Sequence, residues 1–346
     1  MTARLKKLWG VLLLLVLMGG TGLLLARDLS PAAVAAAFHQ ADLRFLLMAA
    51  GLMTAFMVLE TFKLRGLFLG LTGRKLGLRR SLGYAFVGFY FSAVTPSSTG
   101  GQPAQIYYMS RDGEDGAAAA LTLLLMALAH QTSMVTLGGI FFATQRHFLL
   151  GQMTGLGLLF LVGWGANLAM LAGILALILK PEPALHAVSR VITLMGKKKI
   201  LRDPEGLNHR LEEAAAAYGR GRQAAAEHPG RMVWLMAMTI AQALLMYLIP
   251  AAIYWAFHLR GFSLIQLLAV QSALTISVST LPLPGSAGAS EGSFLVLFRQ
   301  VFGLSLVAPA MVLSRTVSFY LPLGISALGT AAVHLLPSRR KKQAFG

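Results

Sequence analysis

The chain has 346 residues, of which 56% are hydrophobic and only 12% charged, with no cysteine and a formal net charge of +17. A soluble domain carries roughly 25% charged residues, so the composition excludes an ordinary water-facing surface and makes lipid the solvent. The missing cysteines exclude disulfide frameworks, thiolate metal sites and cysteine nucleophiles.

In chain order, a basic stretch Met1–Lys7 precedes an apolar run Leu8–Ala26. The run is long for a signal-peptide core and further spans follow, so a retained signal anchor is expected. Continuous apolar blocks of this length predict helices rather than the alternating ten-residue strands of a barrel. Further spans are predicted at Leu43–Phe62, Ala117–Ala143, Thr154–Leu179, Met232–Phe257 and Leu306–Leu336. Interrupted blocks are predicted at Leu82–Met109 and Phe262–Phe302. Between the halves, Lys180–Arg231 holds ten Lys/Arg and six Asp/Glu and reads as a linker. The predicted organisation is a first membrane half 1–179, a basic cytoplasmic linker 180–231 and a second membrane half 232–346.

Short cytoplasmic loops are enriched in Lys and Arg, which orients the chain. With the N-terminus inside, Lys63–Arg80 lies inside with six basic and no acidic residues. If Leu82–Met109 crossed once, the ten basic residues of the linker would lie outside. If it enters and leaves on the inner face, the linker and Arg111 lie inside, and the tail Arg339–Lys342 follows when Phe262–Phe302 enters and returns from the outer face. Arg27, Arg44, Arg146 and Arg260 are then external. The expected fold is an all-α polytopic membrane protein with six to eight crossings and two re-entrant elements in an inverted repeat, in the cell membrane, with both termini cytoplasmic. Its basic loops suit anionic lipid head groups, so nucleic acid is not an expected partner despite the charge.

The two interruptions are alike. Pro96-Ser-Ser-Thr-Gly-Gly-Gln-Pro103 aligns with Pro284-Gly-Ser-Ala-Gly-Ala-Ser-Glu291 at Pro96/Pro284, Ser98/Ser286 and Gly100/Gly288. Broken backbone at membrane depth is tolerated where protein or water surrounds it, so each break marks either a cavity or a packed junction. Ser98 or Thr99 is expected to cap the half-helix after the first break, and Ser286 or Ser290 the one carrying Glu291. Helix N-termini attract phosphates and carboxylates. Ionisable residues inside spans are Glu60, His130, Glu291, Arg299, Arg315 and His334, each a site candidate because charge is costly in lipid. Glu291 and Arg315 are expected to pair, either as structure alone or around an anionic ligand. Glu60 and His334 are expected to reach the interface, and His130 with Gln131 to make an interhelical hydrogen bond instead of serving catalysis.

The stretches Thr95-Pro-Ser-Ser-Thr-Gly-Gly-Gln-Pro-Ala-Gln-Ile-Tyr-Tyr-Met109, Leu283-Pro-Gly-Ser-Ala-Gly-Ala-Ser-Glu-Gly-Ser-Phe294 and Ser314-Arg-Thr-Val-Ser-Phe-Tyr320 resemble the lysylphosphatidylglycerol synthase transmembrane, or flippase-like, family. The resemblance implies a domain that moves aminoacylated phospholipid between leaflets. Many members show a Gly-Glu pair with a nearby Arg at the first break, where this chain has Gly101-Gln102 and Gln105. That difference marks a Gly-Gly-Gln-Pro branch whose substrate need not be lysyl-phosphatidylglycerol. No synthase domain follows His334, so head-group synthesis is not expected.

The candidate substrate-binding residues are Pro96, Ser98, Thr99, Gly100, Gly101, Gln102, Gln105, Pro284, Gly285, Ser286, Gly288, Glu291, Arg315 and Tyr320. No catalytic residue, cofactor or metal is expected. The leading expectation is a non-enzymatic translocase for an anionic or aminoacylated phospholipid or another lipid-linked amphiphile, with a homo-oligomer left open. The alternatives are a carrier of a small solute and a lipid-linked glycosyltransferase, for which the external loops offer chiefly Asp28 and Asp42.

Overall fold

A computed structural model of the chain describes residues 31–95, 98–152, 157–197, 226–279, 281 and 288–335, with a few isolated positions between 206 and 223. The expected anchor Leu8–Ala26, and Asp28, lie outside the described residues, as do Pro96, Pro284, Gly285 and Ser286. Among the described residues all regular structure is helical.

A short helix α1 (Pro31–Gln40) leads into α2 (Leu43–Thr72), whose first turn is capped by Asp42 Oδ1 accepting from Arg44 N–H. The predicted span ended at Phe62, but α2 runs ten residues further. Gly66 and Gly70 stay helical, and the helix ends only at Gly73, which adopts φ 69° and returns its N–H to Leu69 O. Lys63 and Arg65 are therefore helical, which corrects the expectation of a loop from Lys63. A 30-residue helix is about 45 Å long, more than the ~30 Å hydrocarbon core.

Next come α3 (Leu78–Val94) and α4 (Gly101–Arg111), which pack on each other as the arms of a hairpin. Tyr84 OH donates to Asp112 Oδ2 at 2.9 Å, and Arg74 lies 3.7 Å from Glu114, so the hairpin returns to the end of the bundle where it began. With 11 residues α4 is about 16 Å long, too short to cross.

Two long helices follow, α5 (Gly116–Gln152), kinked at Gln145, and α6 (Gly157–Leu179). Beyond them, α7 (Glu182–Lys197) occupies the start of the linker region. The second half opens with α8 (Pro229–Ala256), which packs along α2. Arg231 donates to Gly70 O, placing the start of α8 beside the end of α2. A second hairpin comprises α9 (Leu264–Ser279) and α10 (Ala289–Leu297), in contact with each other. Its open end lies at the opposite end of the bundle. There Phe262 meets Phe148 and Tyr254, Phe302 meets Phe257, and Asp42 N–H donates to Ala256 O.

The chain closes with α11 (Arg299–Arg315), bent at Gly303 (φ 74°, ψ 166°), a π-helical turn Thr316–Tyr320, and α12 (Leu321–Leu335). At the far end of α12, Arg111 donates to Val333 O (2.8 Å) and His334 O (3.3 Å), and Tyr108 OH contacts His334 Nδ1 at 2.9 Å. Among the described residues, five stretches are long and apolar enough to cross a membrane: Leu43–Thr72, Gly116–Gly151, Gly157–Leu179, Pro229–Ala256 and Arg299–Leu335. Of the hairpin arms, α9 is packed within the protein: almost every residue from Leu267 to Val278 is buried.

Candidate functional site

The first hairpin is closed by side-chain and backbone groups of its own turn. Thr95 Oγ1 donates to Phe91 O at 2.6 Å and accepts from Gly100 N–H at 2.8 Å, so the cap of α4 comes from the end of α3. Neither Ser98 nor Thr99 fills the N-cap; Gly100 does, without a side-chain bond. Below the turn, Gly101 and Gly88 let the arms touch. A Cβ on Gly101 would lie 2.1 Å from Ser92 Oγ and 2.6 Å from Gly88 O, and one on Gly88 would meet the Gln105 amide. Buried Gln105 donates to Tyr84 O at 3.0 Å and ties α4 to α3. Gly101→Ala should therefore cost about 1–3 kcal/mol through overpacking. Unfolding in detergent would measure it against Gly51→Ala, where no atom lies within 4 Å of the new Cβ.

In the second hairpin, α10 begins at Gly288 (φ 78°), and Glu291 Oε2 accepts from Gly288 N–H at 2.7 Å. The cap is thus the carboxylate three residues into the helix; Ser290 lies buried in its first turn instead of capping it. The other oxygen, Oε1, receives Arg315 Nε at 2.6 Å and Tyr320 OH at 3.4 Å. The π-turn brings Phe319 and Tyr320 over the same guanidinium, with Arg315 Cζ 4.3 Å from the Phe319 centroid and 5.6 Å from that of Tyr320. Arg315, Glu291, Gly288 and Tyr320 therefore form one cluster, in which an ion pair and ring faces hold the guanidinium.

Two adjoining chambers lie between the hairpins. The smaller, 310 Å³, is bounded by Ser98, Ser290, Ser314 and Arg315; the larger, 460 Å³, by Ser98, Gln102, Gln105, Glu60 and His130. Ser92, Ser98, Thr275 and Ser279 border both, so the chambers meet where the first hairpin's turn faces the inner end of α9. Thr99, Gly100 and Gly101 belong to the turn without lining either chamber, while Gln102 opens onto the larger. Ser314 lines the smaller chamber at 4% exposure, and its hydroxyl has no hydrogen-bond partner among the described residues. Met170 lines the larger chamber yet is 54% exposed on α6, whose apolar surface is mostly unburied, so this chamber reaches the flank of the bundle.

The larger chamber contains a charged group that the sequence did not disclose as such. Lys63, 2% exposed, lies 3.0 Å from Glu60 Oε2 and also donates to Gln242 Oε1; Gln242 Nε2 donates back to Glu60 Oε2 at 3.1 Å and to Phe56 O at 3.0 Å. Glu60 was expected at the interface and Lys63 in a loop. Both instead face the interior, because α2 continues past them and α8 supplies Gln242. Of the pair expected to bond between helices, Gln131 does so, to Asn167 Oδ1 (2.6 Å) and Asn167 O (2.9 Å), while His130 lines the chamber. Asn167 Nδ2 in turn holds Ser279 Oγ at 2.9 Å and fixes the tip of α9. A search by residue type finds Glu60 and His130 but not Lys63, whose basic neighbours resemble a cytoplasmic loop. Among the described residues no group of three metal-ligating side chains occurs. Asp42, one of the acids considered for a transferase, serves as a helix cap.

In comparison with known proteins, the family model described as Lysylphosphatidylglycerol synthase TM region matches residues 8–326. No curated protein and no solved structure matches the chain.

Proposed function

The chain belongs to the lysylphosphatidylglycerol synthase TM region family, and from that premise we propose that it moves an amphiphile with an anionic head between leaflets through the two chambers. The family points to a multi-pass membrane protein of lipid metabolism or transport. The observation that carries the finer reading is the position of Arg315. Its guanidinium is held by Glu291 and two aromatic rings, yet borders a chamber beside the unpartnered hydroxyl of Ser314. The Ser314 hydroxyl lines the chamber next to the arginine, and a hydroxyl donor beside a guanidinium suits phosphate oxygens. The flank opening at Met170 suits acyl chains that stay in the bilayer while the head passes. We assign the chain no catalytic step.

The same reading gives the topology. Hairpin arms of 17 and 11 residues in one half correspond to arms of 16 and 9 in the other, and the hairpins open at opposite ends. We read this as an inverted repeat, six crossings including Leu8–Ala26 and two re-entrant hairpins, with both termini cytoplasmic. The end bearing Arg74, Lys75, Arg79, Arg80, Arg111 and Arg231 is assigned to the cytoplasm by the positive-inside rule. On this cysteine-free chain, cysteines at Lys75 and Asp115 should be labelled only after the membrane is opened, and one at Arg260 in intact cells. External labelling at Asp115 would remove the re-entrant hairpin.

The function is tested with the purified chain in vesicles containing acyl-labelled phospholipid, by following the label that becomes accessible to a membrane-impermeant quencher. Exchange above that of protein-free vesicles supports translocation. Uptake of a soluble anion without lipid exchange would favour a solute carrier.

A further inference from the structure

We infer that the larger chamber receives an uncharged, polyhydroxylated part of the head group, a sugar or polyol, while the Arg315 chamber takes the phosphate. This assignment rests on the translocation reading and narrows its substrate. Three groups facing the larger chamber carry it. Glu60 uses Oε2 for Lys63 and Gln242, and its Oε1 accepts no hydrogen bond from a described residue. His130 and Gln102 line the same space, are exposed within it and make no hydrogen bond with the described residues. A carboxylate oxygen accepts, an imidazole offers one donor and one acceptor, and a carboxamide offers both. That set matches hydroxyl groups, each of which donates and accepts.

Charge decides against the alternatives. Lys63 lies 3.0 Å from Glu60 and compensates it, so the chamber wall carries no net charge from this pair. An ammonium group approaching Glu60 would meet the Lys63 ammonium, and a second phosphate would meet the Glu60 carboxylate. Hydroxyls gain the open hydrogen-bonding positions and lose nothing to either charge. Phe56 and Phe89 add ring faces against which the C–H side of a polyol ring can lie. The volume of 460 Å³ falls in the range of roughly 300–1,000 Å³ typical of ligand sites.

The test uses the full chain in vesicles and four acyl-labelled probes: phosphatidylinositol, phosphatidic acid, phosphatidylethanolamine and an aminoacylated phosphatidylglycerol. Phosphatidylinositol should exchange about tenfold faster than the other three, the scale of one or two net hydrogen bonds. Gln102→Leu and His130→Phe should each bring the ratio of phosphatidylinositol to phosphatidic acid exchange down toward one, and His130→Gln, which keeps a donor and an acceptor, should restore most of it. Equal rates for all four probes, or fastest exchange of the aminoacylated lipid, would overturn the polyol assignment while leaving translocation standing. Exchange of none of them would remove the translocation reading and the assignment together. Uptake of free labelled inositol in place of lipid exchange would identify a soluble polyol as the ligand and overturn the lipid assignment. Gln102 is exposed, so its variant keeps the test decisive if the His130 variants fail to fold.

Discussion

Arg315→Ala should abolish leaflet exchange and destabilise the protein, whereas Arg315→Lys should insert normally and still exchange lipid at least about tenfold more slowly. The lysine keeps the positive charge but loses the planar fork and the stacking on Phe319, and 1.4 kcal/mol of lost phosphate binding is already about tenfold. The alanine leaves Glu291 partly buried with its principal cation gone. Removing one member of a buried pair costs about 3–5 kcal/mol; here both side chains retain some exposure, so the lower part of that range applies. The Glu291→Gln/Arg315→Ala double variant should regain most of the stability and none of the exchange. Stability is read by unfolding in detergent and exchange in vesicles. Wild-type exchange in the double variant would show that the pair is structural only.

Lys63→Met should be the most destabilising single substitution in the first half of the chain. Lys63 is more deeply buried than Arg315, and its loss leaves the Glu60 carboxylate with only the Gln242 amide. The expected cost is about 3–5 kcal/mol, seen as a large drop in the unfolding midpoint. Glu60→Gln/Lys63→Met replaces the pair by a neutral amide and an apolar chain of similar length, and should recover most of the loss, since a buried ion pair is often replaceable by apolar groups. A single variant as stable as wild type would mean that water or a ligand reaches Glu60 readily, and that the pair contributes little.

Much of the site is visible from sequence through its breaks. Pro and Gly clusters inside apolar blocks point to hairpin turns because such residues interrupt a helix wherever they occur. The described helices stop and restart on either side of those clusters, α3 ending at Val94 and α4 starting at Gly101, α9 ending at Ser279 and α10 starting at Ala289. Glu291 and Arg315 are visible because charge within an apolar span is expensive, and the structure places them 2.6 Å apart. The helix caps were less legible. Thr95 on the outgoing arm and Glu291 three residues inside α10 act as caps, whereas the expectation is Ser98 or Thr99 at the first break and Ser286 or Ser290 at the second. Several polar side chains near each break can cap a helix, and backbone geometry at the turn selects one.

By itself the sequence determined the solvent, the helical class, the position of both interruptions and the family, because hydropathy, breaker residues and local motifs are properties of contiguous residues. Only the tertiary structure decided which charges are interior. Lys63 reads as the first residue of a basic loop until α8 packs along α2 and brings in Gln242, 179 positions away. His130 reads with Gln131 as an interhelical hydrogen-bonding residue until the hairpin arms leave a chamber beside it, and Ser279 owes its place to Asn167 on α6. The burial of a charge depends on which helices surround it, and that is set by packing between segments distant in the chain, which no local pattern encodes.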